Sequence, residues 1–208
     1  SGAPVNLTAI IGAAGTVLAF TLFICTAMIY ACLRFLQEWH TPLTVINYTL
    51  LGGASGFVLA TALAALAAPE VTRFFAGWAM ILTLLALIGR VASLLRNARL
   101  KPKSTLRTAI GVKHPRIEQK AQGAMGGSFN TREFFHGRTA AFLRQVKWIF
   151  LLLTFPVPLG LLAGGAATGT VALLLASFAV QYLGLLAERW FFFAQANHPQ
   201  NLYYQAVS

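Results

Sequence analysis

Long runs without charge dominate the pattern of hydrophobic and polar positions along the chain. A helix rising about 1.5 Å per residue needs about 20 apolar residues to cross a hydrocarbon core of about 30 Å. The forty residues from Trp148 to Ala187 carry no charge, so they predict two crossings, with a turn in the glycine-rich stretch 164–169. The whole chain is predicted to be a single all-α membrane domain, a bundle of five membrane-spanning helices at about 7–33, 43–68, 71–95, 147–163 and 169–194.

Composition strengthens this prediction. Of the 208 residues, 57% are apolar and only 10% are charged, and no Asp is present. Soluble domains carry about a quarter charged residues, so this chain cannot cover itself with polar surface in water. The two cysteines are too few for a disulfide scaffold. Composition therefore excludes the soluble classes and indicates a multi-pass membrane protein.

The positive charge is concentrated between the third and fourth predicted spans. Residues 96–147 contain twelve Lys or Arg and two Glu, which is +10 of the total net charge of +11. Basic loops face the cytoplasm, so we expect the loop 96–146 and the C-terminus on the cytoplasmic side. Juxtamembrane topology explains these charges better than nucleic-acid binding does.

The basic loop also contains a patterned segment. In 126–137, Asn130 precedes Glu133 by three residues, which is typical of a helix N-cap and its capping-box partner. A short amphipathic helix near 131–136 would then lie at the membrane interface. We expect this segment to dock a soluble subunit or to line a headgroup site. The candidate docking residues are Phe129, Asn130, Arg132, Phe134 and Phe135.

The chain offers few ligands for a redox cofactor. Haem in a helix bundle needs axial ligands, usually histidines, that project from the helices. None of the four histidines lies inside a predicted span; they are His40, His114, His136 and His198. Without a cysteine cluster the chain cannot hold an iron–sulfur centre alone, so we expect it to bind no metal and no redox cofactor.

Ionisable residues inside a membrane are candidate functional groups, because placing them there is costly. Arg90 lies five residues before the end of its span, so it either extends to the interface or contacts a ligand headgroup. Glu188 and Arg189 are adjacent, about 100° apart on a helix, and are not expected to pair with each other. They form either an interhelical ion pair or a proton or headgroup contact.

Three unusual strings resemble one family. They are Gly111–Glu118 (GVKHPRIE), the segment 126–137 and Glu188–Asn201 (ERWFFFAQANHPQN). They resemble the membrane anchor subunit of dimethyl sulfoxide reductase and related molybdenum oxidoreductases, and with the intervening helices the resemblance spans nearly the whole chain. Family members usually have eight spans, so the resemblance implies that about three N-terminal helices are missing.

The resemblance implies an anchor without metal in a bacterial inner-membrane complex. Such anchors oxidise menaquinol and pass electrons to an iron–sulfur subunit, which feeds a molybdopterin catalytic subunit during anaerobic respiration with dimethyl sulfoxide or a similar acceptor. The reductase active site then lies on another chain. We expect His136, Glu188, Arg189 and Arg90 near the quinol. A secondary transporter and a purely structural anchor are the alternatives.

Overall fold

The computed structural model describes residues 6–101, 103, 105–114, 116–117 and 139–198, and its regular structure there is entirely helical. The helices in these residues are α1 (Leu7–Ala31), α2 (Pro42–Ala67), α3 (Thr72–Ala98), α4 (Leu106–Ile110), α5 (Ala140–Thr154), α6 (Pro156–Thr168) and α7 (Val171–Ala194), and a 3-10 turn covers Pro69–Val71. Within these residues five helical units are long and apolar enough to cross a membrane, with α5 and α6 together forming one of them. The predicted all-α bundle with five spans is confirmed.

The fourth unit differs most from its expected bounds. It begins at Ala140 rather than at 147 and ends at Thr168 rather than at 163. Thr139 caps its first turn, because the Thr139 hydroxyl accepts a hydrogen bond of 3.2 Å from the Phe142 backbone N–H. A span predicted from hydropathy leaves out the charged first turns of a helix, whereas the backbone hydrogen bonds of the helix include them. Gly169, at a φ of 70°, ends the unit in the left-handed conformation that glycine favours.

Two prolines divide the fourth unit into α5 and α6. Pro158 has no backbone N–H, so the carbonyl of Thr154 loses its ordinary partner one turn away. The Gln181 side chain on α7 fills this gap, since its Nε2 donates to the Thr154 carbonyl at 3.3 Å. The helix break therefore lies against protein, as an unpaired carbonyl in a membrane requires.

Close approach of the helices depends on small residues. A Cβ added to Gly184 of α7 would lie 2.6 Å from backbone atoms of Leu153 and Thr154, so α5 and α7 meet almost backbone to backbone. Small residues permit this kind of packing between membrane helices. An apolar core fills the bundle between α2, α3, α6 and α7, and its buried members are Val58, Ala62, Ala79, Leu162 and Leu174.

We call one end of the bundle the loop-side end, because the basic loop leaves it. The connection 32–41 between α1 and α2 lies there with the C-terminal ends of α3 and α7. Arg96 at the end of α3 donates to the Gln37 carbonyl at 3.0 Å. Trp39 donates from Nε1 to the Phe192 carbonyl on α7, also at 3.0 Å. These bonds fix the connection across the ends of the other helices.

Candidate functional site

A buried ion pair joins two helices near the loop-side end. Arg90 of α3 and Glu188 of α7 approach to 2.8 Å between Nε and Oε1, with side-chain exposures of 3% and 0%. The rings of Phe150 and Phe191 flank the guanidinium, with centroids at 5.4 and 5.9 Å from its Cζ. Arg90 therefore does not extend to the interface, and that interpretation is wrong. The Arg90 guanidinium is stabilised inside the bundle by the full counter-charge of Glu188, and this ion pair replaces the solvation that it would gain at the interface.

Glu188 also binds its neighbour in sequence. Arg189 places Nε and Nη2 each 2.6 Å from Glu188 Oε2, so the expectation that these adjacent residues do not pair is wrong. The two side chains do leave the helix in different directions, but the long arginine side chain bends back to the carboxylate. Glu188 thus shares its two oxygens between two guanidinium groups, and the cluster of Arg90, Glu188 and Arg189 carries one uncompensated positive charge.

Arg189 connects this cluster with an aromatic group on α2. Its Cζ lies 4.0 Å from the centroid of the Tyr48 ring and 5.0 Å from that of Phe192. A guanidinium over an aromatic face is attracted by the ring electrons, most strongly where water is excluded. Tyr48 and Phe192 belong to a larger aromatic cluster with Tyr30 and Trp39. These rings hold the Arg189 side chain in one place.

A polar cavity adjoins the ion pairs on the loop side. Asn47 of α2 donates from Nδ2 to the Ser93 hydroxyl of α3 at 2.7 Å within its wall. The cavity volume is about 10 Å³, which leaves room for about one water molecule. Besides the charged cluster it is lined by Glu38, Thr44, Asn47, Tyr48, Ser93, Asn97, Phe192 and Gln195.

Glu38 contributes a second carboxylate to this cavity from the connection between α1 and α2. Burial of its side chain raises its pKa above the ordinary value, and hydrogen bonds from its own and the Asn197 backbone oppose the shift, as does the charge of Arg96. Loss of solvation is the largest of these effects. Glu38 therefore binds a proton more readily than an exposed glutamate does.

An apolar groove lies on the other side of Tyr48 and Arg189, between α1, α2 and α7. Its volume is about 350 Å³, within the range of small-molecule sites. Leu22 at its rim is 64% exposed, so the groove opens towards the outside of the bundle. The lining residues are Leu22, Phe23, Thr26, Tyr48, Leu51, Gly52, Ser55, Leu185 and Arg189. The groove thus has apolar walls and a polar inner end.

Comparison with known proteins gives the family. The family model of the DMSO reductase anchor subunit (DmsC) matches residues 3–112, more than half of the chain. The chain belongs to this family. A sulfite dehydrogenase subunit from Allochromatium vinosum is 56% identical over 204 residues, which cover 98% of this chain and 63% of that protein. The chain thus spans less than two thirds of the length of this relative, and no solved structure gave a significant match.

The predictions for the site residues of this DMSO reductase anchor family member have different outcomes in the structure. Arg90, Glu188 and Arg189 lie together, and their quinol contact stays a prediction. His136 lies outside the described residues, as do the predicted helix 131–136 and the docking candidates Phe129, Asn130, Arg132, Phe134 and Phe135. Within the residues that are described, no group of three His, Cys, Asp or Glu side chains could hold a metal ion.

Sequence reasoning missed several groups that surround the anchor's charged cluster. Tyr48 and Asn47 lie in the first turns of α2, and Glu38 lies in the connection before it. Adjacent polar residues at the start of an apolar span were the available signal in the sequence. Their importance depends on helix pairing, because α2 brings them to α3 and α7, which lie far along the chain.

Proposed function

We propose that this protein is the membrane anchor of a molybdenum oxidoreductase complex, where it exchanges electrons between a quinone in the bilayer and an iron–sulfur partner subunit. Family membership supports the anchor role. The observation that carries the quinone role is the apolar groove whose inner end is formed by Tyr48 and Arg189. Under this proposal the chain binds no metal, and the clusters and the molybdopterin belong to partner subunits.

The groove matches the chemistry of a quinone in three respects. Leu22, Leu51 and Leu185 provide apolar walls for the ring and the isoprenoid tail, and the open rim admits a ligand from the bilayer. Arg189 Nη1 is buried and has no hydrogen-bond partner among the described residues, so it can donate to a ring oxygen. Glu188 then acts as the counter-ion that positions Arg189, with Arg90 on its far side.

Two of the predicted functional regions enter this proposal from the sequence. His136 is proposed as a proton acceptor for quinol near neutral pH. The basic loop 96–146 is proposed to face the cytoplasm of a bacterial inner membrane and to dock the soluble subunits, through Phe129, Asn130, Arg132, Phe134 and Phe135. The excess of Lys and Arg in this loop supports that orientation.

The direction of electron flow has two versions. The family name supports reduction of dimethyl sulfoxide or a similar acceptor at the catalytic subunit. In this version menaquinol is the proposed electron donor, in anaerobic respiration. The relative with 56% identity is named a sulfite dehydrogenase subunit, which supports the opposite direction, with sulfite as electron donor and a quinone as acceptor. A complex purified through this chain distinguishes the two versions, by assays with menaquinol and dimethyl sulfoxide and with sulfite and decylubiquinone.

A bulky side chain in the groove tests the quinone role. Ser55 lines the groove, so Ser55→Phe should raise the KM for decylubiquinone by about tenfold or more in the purified complex. Gly56→Phe is the matched control, because a Cβ at Gly56 has no atom within 4 Å among the described residues. Equal KM values for both variants and the wild type would contradict a quinone in this groove.

The same preparation tests the alternatives. A purely structural anchor would retain the partner chains but bind no decylubiquinone. A secondary transporter would purify without iron-containing partners and would move a solute across vesicles. Identification of the co-purified chains by mass spectrometry, together with binding of tritiated decylubiquinone, separates the three functions.

A further inference from the structure

The apolar groove and the polar cavity share part of their walls. Tyr48 and Arg189 line both spaces, so they form the partition between a groove open to the outside of the bundle and a cavity on the loop side. The remaining groove residues are mostly apolar, whereas the cavity is lined almost entirely by polar and charged side chains. The two spaces are therefore suited to different contents, a ring with its tail on one side and water or protons on the other.

The cavity wall contains polar atoms that make no hydrogen bond to described residues. They include Glu38 Oε2 in the connection 32–41, Asn47 Oδ1 on α2, Arg90 Nη2 on α3 and Gln195 Nε2 directly after α7. Buried polar groups are nearly always paired, with protein or with ordered water. A buried water typically makes about three hydrogen bonds, and this cavity has both the volume and the polar atoms for one.

Glu38 is the titratable group best suited to exchange protons at this cavity. Both oxygens of Glu188 are occupied by guanidinium groups. Glu70, the other carboxylate among the described residues, lies in the turn after α2, at the end opposite the loop-side end. Glu38 is half-buried and faces Arg96, the backbone of Asn197 and, across the cavity, Tyr48 and the charged cluster.

We propose that the polar cavity is the proton route of the quinone site, and that Glu38 exchanges the protons with water on the loop side of the membrane. This inference rests on the proposed function. Reduction of the quinone consumes two electrons from the iron–sulfur subunit and two protons, and forms two O–H bonds; oxidation of the quinol reverses each step. Each proton moves from the Glu38 carboxyl to a cavity water and then through the Tyr48 hydroxyl, which gives up its own proton and accepts the next.

The route has a directional consequence. Arg96 at the end of α3 donates to the Gln37 carbonyl, so Glu38 lies on the side from which the basic loop leaves. Protons would therefore enter and leave on the loop side, although the groove opens towards the outside of the bundle. With the loop in the cytoplasm, turnover would take protons from the cytoplasm or return them there.

Carboxylate variants of the intact complex test the route. Glu38→Gln removes the proton-exchanging group at nearly constant volume, and Glu38→Asp keeps a carboxylate. Glu70→Gln is the matched control at the opposite end. The readouts are binding of tritiated decylubiquinone, the rate at which decylubiquinone reoxidises the reduced iron–sulfur subunit, and the pH profile and solvent deuterium isotope effect of that rate.

We expect Glu38→Gln to bind decylubiquinone within about twofold of the wild type, but to be reoxidised about tenfold or more slowly, with a larger isotope effect and a flatter pH profile. Glu38→Asp should recover most of the rate with a displaced pH profile, and Glu70→Gln should match the wild type.

Three outcomes would contradict these proposals. If Glu38→Gln kept the wild-type rate and pH profile while decylubiquinone bound normally, the proton route would be refuted and the quinone site would stand. If the wild type bound no decylubiquinone, the proposed function would fail and the route with it. Should Glu38→Gln not assemble, a wild-type pH profile in Glu38→Asp would refute the route.

Discussion

Helices α1 and α7 have nearly the same length and are both strongly apolar, yet they differ in how they pack. Among the described residues, α1 buries only Ala27, whereas α7 buries a face that carries Ser177, Gln181, Gly184 and Glu188. Thr16 and Thr21 of α1 donate to carbonyls of their own helix. Ser177 and Gln181 of α7 donate instead to the Pro158 and Thr154 carbonyls of other helices. Hydropathy detects a span, but the partners of its polar residues decide its role.

Removal of the counter-ion on α7 is expected to have the largest effect on stability in this comparison. Glu188→Gln leaves two guanidinium groups without a carboxylate, and breaking a buried ion pair typically costs about 3–5 kcal/mol. Denaturation of the detergent-solubilised complex should show a destabilisation of that size, with almost none in Glu70→Gln. A double variant, Arg90→Met with Glu188→Met, should lose less than the sum of its single variants. Additive losses would contradict the pairing.

Substitution of a glycine by alanine should have opposite effects on stability in the two helices. A Cβ at Gly184 would lie 2.6 Å from the backbone of α5, so Gly184→Ala should destabilise the protein by about 1–3 kcal/mol. A Cβ at Gly15 of α1 has no atom within 4 Å, so Gly15→Ala should be neutral or stabilising by up to about 1 kcal/mol. Thermal melting of the two variants measures the difference, and similar melting temperatures would argue against the close α5–α7 contact.

Substitutions of polar side chains in the two helices should differ less in their effect on stability. Gln181→Leu removes the donor to the Thr154 carbonyl, and hydrogen bonds between membrane helices contribute roughly 1 kcal/mol. Thr21→Val removes only a bond to its own helix, whose backbone is already paired, so its stability should stay near that of the wild type. Denaturant titrations of both variants test this, and a larger loss in Thr21→Val would reverse the comparison.

The smallest effect concerns the connection that joins α1 to the rest of the bundle. The raised pKa of Glu38 means that the folded protein holds this proton more tightly than the unfolded chain does. Its contribution to stability is therefore present at low pH and is lost as the pH rises through the folded-state pKa. Glu38→Gln does not titrate, so its melting temperature should gain on that of the wild type as the pH rises from the ordinary glutamate pKa through the higher pKa of Glu38 in the folded protein. A constant difference would show that Glu38 is not buried as described.

The sequence was sufficient for the helices but not for their contacts. Long stretches with few or no charges identified five spans, because the cost of burying charge in a bilayer is a local property of the chain. The pairing of Arg90 with Glu188 joins residues 98 positions apart, and Tyr48 reaches Arg189 across 141 positions. Neither contact leaves a periodic signal. The pairing of the neighbours Glu188 and Arg189 was missed for a different reason, since side-chain length overcame helix geometry.

The helix break in the fourth span has a consequence for how this chain can vary. Pro158 frees the Thr154 carbonyl, and Gln181 occupies it. An alanine at position 158 would restore the ordinary helical bond and leave the glutamine amide competing for an acceptor already in use. A leucine at position 181 alone would strand the carbonyl. The two sites are therefore expected to be exchanged as a pair among related proteins, with proline and glutamine retained together or lost together.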